Sequence, residues 1–137
     1  MRIAMYLFVF VVLIVVALLA YVRLAPTDVA RWHQPVAADS SADLTGGAIR
    51  VTQTDPAALE RVDAAARALP RTRVLAGSVE GGRITYVTRS AAFGFPDYTT
   101  IEYSDGVLKM YARLRFGGSD LGVNRERLER LLRAVEG

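Results

Sequence analysis

The stretch "IAMYLFVFVVLIVVALLAYV", Ile3 to Val22, contains no charged residue, no proline and no glycine. As an α-helix rising about 1.5 Å per residue it would be about 30 Å long, the thickness of a bilayer's hydrocarbon core. A helix apolar on every side needs apolar surroundings on every side. The whole chain has 137 residues, which leaves room for one ordinary domain beside this segment and little to wrap it. A cleaved export signal would have a shorter apolar run ending in a small-x-small site, whereas this run leads into "YVRLAP" with Arg23 in the way. Residues 1–23 are therefore expected to be an uncleaved transmembrane anchor, with residues 3–22 in contact with the lipid bilayer.

Charge gives the orientation only weakly. Arg2 and the amino terminus stand on one side of the run, and Arg23 and Arg31, opposed by Asp28, on the other. The favoured arrangement is a single pass through a bacterial cytoplasmic membrane, with the N-terminus inside and the C-terminal domain periplasmic. The absence of cysteine suits either compartment. The net charge is +3, and Lys109 is the only lysine. Arginines and acids alternate from Arg50 to Arg133, as on a solvated surface, so no nucleic-acid partner is expected.

Between the apolar run and Ala48, "LAPTDVARWHQPVAADSSADLTGG" shows no sustained period and is rich in turn-forming residues. Residues 24–47 are expected to form a linker. Within it, Trp32 has two readings: an indole at the headgroup level, or one docked on the domain.

Residues 48–137 carry the pattern of an α+β domain. "AIRVTQ" suits a strand. Asp55 then caps a helix whose first residue is Pro56, and Leu59, Val62, Ala66 and Leu69 form its apolar stripe up to Pro70. Gly81-Gly82 and Asp105-Gly106 suit two-residue hairpin turns. The second turn would set Tyr103 opposite Leu108, Ile101 opposite Met110, Thr99 opposite Ala112 and Glu102 opposite Lys109, so that apolar meets apolar and charge meets charge. The first would set Val79 opposite Ile84 and Glu80 opposite Arg83. The expected order is β-α-β-β-β-β-α, an antiparallel sheet with two helices on one face. The other face is expected to be open, carrying Arg83, Arg89, Lys109, Tyr111, Arg113 and Arg115, with Val74, Ala76 and Val87 between them. Arginine and tyrosine suit contact surfaces, so Arg83, Arg89, Tyr111 and Arg113 form a candidate interaction face.

The last helix is expected to start with Asn124 as N-cap, to bury Leu128, Leu131, Leu132 and Val135, and to staple Val123 against Leu128. Asp120 is placed to accept hydrogen bonds from nearby N–H groups. The run "SDLGVNRERLERL", with Arg115 before it and "FGFPD" from Phe93 to Asp97, resembles the family catalogued as domain of unknown function 1499 (DUF1499). The resemblance covers roughly Ile49 to Val135. It implies a bacterial or chloroplast protein, frequently exported or membrane-attached, and no established activity. Two features depart from the family pattern: Asp97 is followed by Tyr98 rather than a second acid, and the N-terminal cysteine motif is missing. Ala112 and Leu114 also stand where small polar residues tend to flank the final-strand arginine. A metal site built on paired acids is weakened accordingly.

His33 is the only histidine and lies in the linker, and there is no cysteine, so Ser-His-Asp and Cys-His catalysis and the usual zinc ligands are not expected. No phosphate-binding glycine loop occurs. What remains is a cluster of Asp97, Arg115, Ser119, Asp120, Asn124 and Arg125 at one end of the sheet. It is either a site for a small anionic substrate or a set of caps and ion pairs pinning the last helix. The favoured expectation is an uncharacterised membrane-anchored cell-envelope protein, a non-catalytic binding or scaffolding module for an envelope protein or anionic ligand, without cofactor or metal. The alternative is an enzyme or ligand-binding protein acting through that cluster.

Overall fold

The computed structural model describes residues 1–137. The apolar run forms helix α1 (Arg2–Leu24), whose most apolar window has a mean hydropathy of 3.2. None of its residues is buried by the rest of the protein, so most of its apolar side chains have no partner within the chain. It is one helix long and apolar enough to cross a membrane.

The rest is a six-stranded antiparallel sheet with helices, an α+β fold. In chain order come α2 (Val29–Trp32), β1 (Ala42–Leu44), β2 (Gly47–Gln53), α3 (Ala58–Arg67), β3 (Thr72–Ser78), β4 (Arg83–Arg89), β5 (Pro96–Ser104), β6 (Val107–Leu114) and α4 (Val123–Val135). The spatial order is β1-β2-β6-β5-β4-β3. Strand β1 lies inside the segment expected to be a linker and adds a sixth strand to the five expected.

The helix-covered face agrees with the apolar pattern. Leu59, Val62 and Ala66 of α3 and Leu128, Leu131 and Val135 of α4 pack on Ile84, Tyr86, Ile101, Leu108, Met110 and Ala112 in one core cluster, with Leu69 and Leu132 at its margin. Asp55 accepts a hydrogen bond from the Ala57 N–H and pairs with Arg61, which holds its carboxyl down at about 2. The β5–β6 register matches expectation, with Tyr103, Ile101, Thr99 and Glu102 opposite Leu108, Met110, Ala112 and Lys109. Asp105 and Gly106 both have positive φ, as the tight turn requires.

The β3–β4 hairpin differs by two residues. Gly77 faces Ile84 and Ser78 faces Arg83, so the turn occupies residues 79–82 and the Val79–Ile84 and Glu80–Arg83 pairs do not form. Gly82 donates to the Val79 carbonyl within that turn. A bulge between Val74 and Ala76 puts Val74 on the helix side, packed against the core, instead of on the opposite face. Arg83 pairs with Glu102 at 2.8 Å.

The second sheet face is not open. Residues 25–38 run across it as an arm. Trp32, 9 % exposed, stacks on Tyr98 with ring centroids 4.2 Å apart and packs with Val87 and Leu75. Of the two readings of this indole, docking on the domain is the one observed. Gly77, with φ +86°, permits the approach: a Cβ there would overlap the Arg83 carbonyl and lie 2.8 Å from the His33 ring.

Candidate functional site

The arm is held by side chains of the strands it crosses. Arg113 donates to the Trp32 carbonyl at 2.6 Å, to Thr100 Oγ1 at 2.9 Å and to the Tyr111 carbonyl at 3.0 Å. Its guanidinium also lies over the Trp32 and Tyr111 rings, 5.4 and 4.7 Å from their centroids. Burial lowers its pKa, and the nearby tyrosines oppose the shift. Arg115 donates to the Pro26 carbonyl at 3.0 Å and to the Tyr98 hydroxyl at 3.2 Å. His33 Nδ1 lies 2.8 Å from Thr85 Oγ1, and Glu102 accepts from the Val36 N–H at 3.1 Å while holding Arg83. Thus Arg83, Tyr111, Arg113 and Arg115, expected on an open face, are engaged with the arm or its neighbours. Lys109 reaches Asp39 at 3.6 Å. Arg89 stands apart from the arm and donates to the Gly94 carbonyl at 2.9 Å.

At the end of the sheet where β5 begins and β6 ends, Asp97, Ser119 and Asp120 line a cavity of about 420 Å³, with Phe95, Phe116 and Val123 among its walls. Asp120 accepts from the Gly122 N–H at 3.0 Å through Oδ1 and from the Asn124 N–H at 3.1 Å through Oδ2. The N-cap position thus falls to Gly122, not Asn124, and Asp120 two residues earlier supplies the capping carboxylate, satisfying two of the N–H groups a helix start leaves unpaired. Asn124 is the second residue of α4 and is fully buried. Its Oδ1 accepts from Arg127, and its Nδ2 has no partner. Val123 is the first residue of α4 rather than the residue before its N-cap, so it does not hold the staple position expected for it; it is 48 % exposed and lines the cavity. Leu121, in the same loop, has a φ of +53° and is 93 % exposed.

The partner of Asp97 is Arg127, at 3.3 Å. Burial raises the Asp97 pKa, Arg127 opposes that rise, and the charge of Asp120 adds to it. Neither Arg115, on the arm side of β6, nor Arg125, exposed and folded back over Gly122, joins the cluster. Arg127 went unrecognised among the arginines of "RERLERLL"; its helical spacing from Asn124 and Asp120 is the signal that could have found it. Ser119 accepts from the Leu121 N–H at 3.3 Å. The cavity joins half-buried carboxylates and apolar walls, with Arg127 behind Asp97, a combination suited to a ligand with one polar end.

The same end of the sheet receives the apolar helix. Tyr21 packs edge-on against Phe116 with centroids 6.2 Å apart, and the Arg23 guanidinium lies beside Gly94. The loops on either side, residues 90–95 and 115–122, therefore meet the chain where it leaves α1. Phe93 and Phe95 are 53 % and 37 % exposed there.

No curated protein matches the chain. A family model described as "Protein of unknown function (DUF1499)" matches residues 25–135, from the start of the arm to the end of α4. The arm, outside the resemblance traced from Ile49 onward, is thus within the matched unit. With all but the apolar helix and the last two residues covered, the chain belongs to the DUF1499 family.

Proposed function

We propose that this protein is a single-pass, membrane-anchored, non-catalytic binding or scaffolding module of the cell envelope, with its domain on the periplasmic side. It presents the 90–95 and 115–122 loops to the bilayer surface. The observation that carries this reading is the placement of both loops against the exit of the apolar helix, through the Tyr21–Phe116 and Arg23–Gly94 contacts. Exposed Phe93, Phe95 and Leu121 at that end are of the kind that favours a lipid–water boundary or a partner's apolar surface. The docked arm supports it as well, since a helix joined to a fixed arm has little freedom to swing the domain away.

The non-catalytic assignment rests on the engagement of both acids: Asp120 is occupied by two backbone N–H groups and Asp97 by Arg127. One observation favours a second reading, in which the cavity takes a small ligand: Asp97 lines it with a raised pKa, as acids that handle protons often have.

The experiment is photocrosslinking in cells, with a photoreactive residue at Leu121 or, as control, at Asp105 in the turn at the far end of the sheet. Adducts to lipid or to an envelope protein from Leu121 alone support the reading. Equal adducts from both positions, or recovery of the intact chain in the soluble fraction, contradict it. Loss of a cellular phenotype in Asp97→Asn, with crosslinks and melting temperature unchanged, would favour the second reading.

A further inference from the structure

A second cavity, of about 360 Å³, lies beside the first across the Ser90–Phe95 loop. Arg23, Arg71, Arg73 and Arg89 all line it, and no acid does. None of the four belongs to an ion pair, whereas Arg50, Arg61, Arg67, Arg83 and Arg127 each have a carboxylate. Like charges converging on one cavity repel, and no carboxylate in its lining offsets the repulsion. The convergence is also built by the fold. Arg71 has a φ of +52°, which a residue with a side chain adopts at some cost, and it donates from Nε to the Arg89 carbonyl at 2.9 Å. Arg89 donates to Gly94 in turn. Arg23 comes from the last turn of the apolar helix, where a lipid-spanning segment reaches the headgroups.

We infer that this arginine-lined cavity binds a phosphate group. Guanidinium matches phosphate oxygens with paired hydrogen bonds, and its charge persists throughout the physiological range. Two sources have that chemistry: the phosphodiester of an anionic lipid, and free phosphate or a small phosphate ester. The lipid source rests on the anchored reading above, while the free-phosphate source does not.

The test uses the full-length chain in nanodiscs of phosphatidylcholine, alone or with phosphatidylglycerol. Inorganic phosphate is titrated into the neutral discs against chloride at equal ionic strength, and the melting temperature is compared between the two lipid compositions. The side chains of Arg23 and Arg73 hold no hydrogen bond or ion pair that the fold depends on, so Arg23→Gln/Arg73→Gln removes two charges while the backbone pairing of α1 and β3 stays in place. Exposed Arg130 and Arg133 on α4 provide the control pair, Arg130→Gln/Arg133→Gln.

Phosphate binding weakened about tenfold or more by the first pair and unchanged by the control identifies a site open to the free anion. No phosphate response, with phosphatidylglycerol raising the melting temperature of the native chain and not of the first pair, identifies the headgroup. No response to either probe, or equal loss in both pairs, overturns the inference. A chain that stays out of the discs contradicts the anchored reading instead, and the phosphate titration on that soluble chain still decides the cavity.

Discussion

Arg113 donates to the carbonyl oxygen of Trp32 at 2.6 Å across a sequence separation of 81 residues, and the same guanidinium lies over the Trp32 ring. This pair joins the segment that follows the apolar helix to β6, the last strand of the sheet. Trp32 is the only tryptophan, so its fluorescence reports directly on the joint.

Removing the indole should undock the arm. Trp32→Ala is expected to cost about 3 kcal/mol, through lost stacking on Tyr98 and the space left beside Val87. Chemical denaturation measures the loss, and proteolysis should newly cleave within residues 25–41.

Arg113→Lys keeps the charge and loses the planar fork that reaches Trp32, Thr100 and Tyr111 together. A loss of about 2 kcal/mol is expected, with a red shift of the Trp32 emission. Unchanged emission would mean that the arm stays docked without the fork.

The start of α4 should respond to Asp120 more than to Arg125. Asp120→Ala removes two caps and is expected to cost about 1.5 kcal/mol by thermal melting, with Asp120→Asn costing less because one acceptor remains. Arg125→Ala, at an exposed position, should stay near neutral.

Two groups give opposite pH dependences. Burial and then the charge of Arg83 hold His33 below its ordinary value of 6.5, so its contribution to stability is present above that value and is lost as pH falls through the folded-state pKa. Burial holds Asp97 above its ordinary value of 3.8, so its contribution is present below that value and is lost as pH rises through the folded-state pKa. Melting temperature against pH should therefore lose its mildly acidic decline in His33→Gln. In Asp97→Asn it should lose the partial recovery at lower pH.

Much of the helix-covered face was legible because its signals are local. Alternating apolar residues and Asp105-Gly106 set the register of β5 against β6, and three- and four-residue spacing marks the buried stripes of α3 and α4. The β3–β4 register was misjudged because Gly81-Gly82 looks like a complete two-residue turn, while the chain closes over residues 79–82 and bulges at Leu75. The arm was illegible for a different reason. It has no period, and what holds it is side chains far along the chain bonding to its carbonyls, as Arg113 does to Trp32 and Arg115 to Pro26. In the candidate site the residue types were legible and the partners were not. Asp97 chose Arg127 over Arg115, and the cap fell to Asp120 instead of Asn124. Sequence spacing places residues on a helix face but does not say which strand residue that face meets.

The most direct test of an apolar helix joined to its domain by a docked arm is amide hydrogen exchange on the full-length protein in nanodiscs. Slow exchange is expected throughout α1 and at His33 and Val36, whose N–H groups bond to the Val29 carbonyl and to Glu102. Exchange of His33 and Val36 at the rate of an unstructured chain, with the strands still protected, would contradict it.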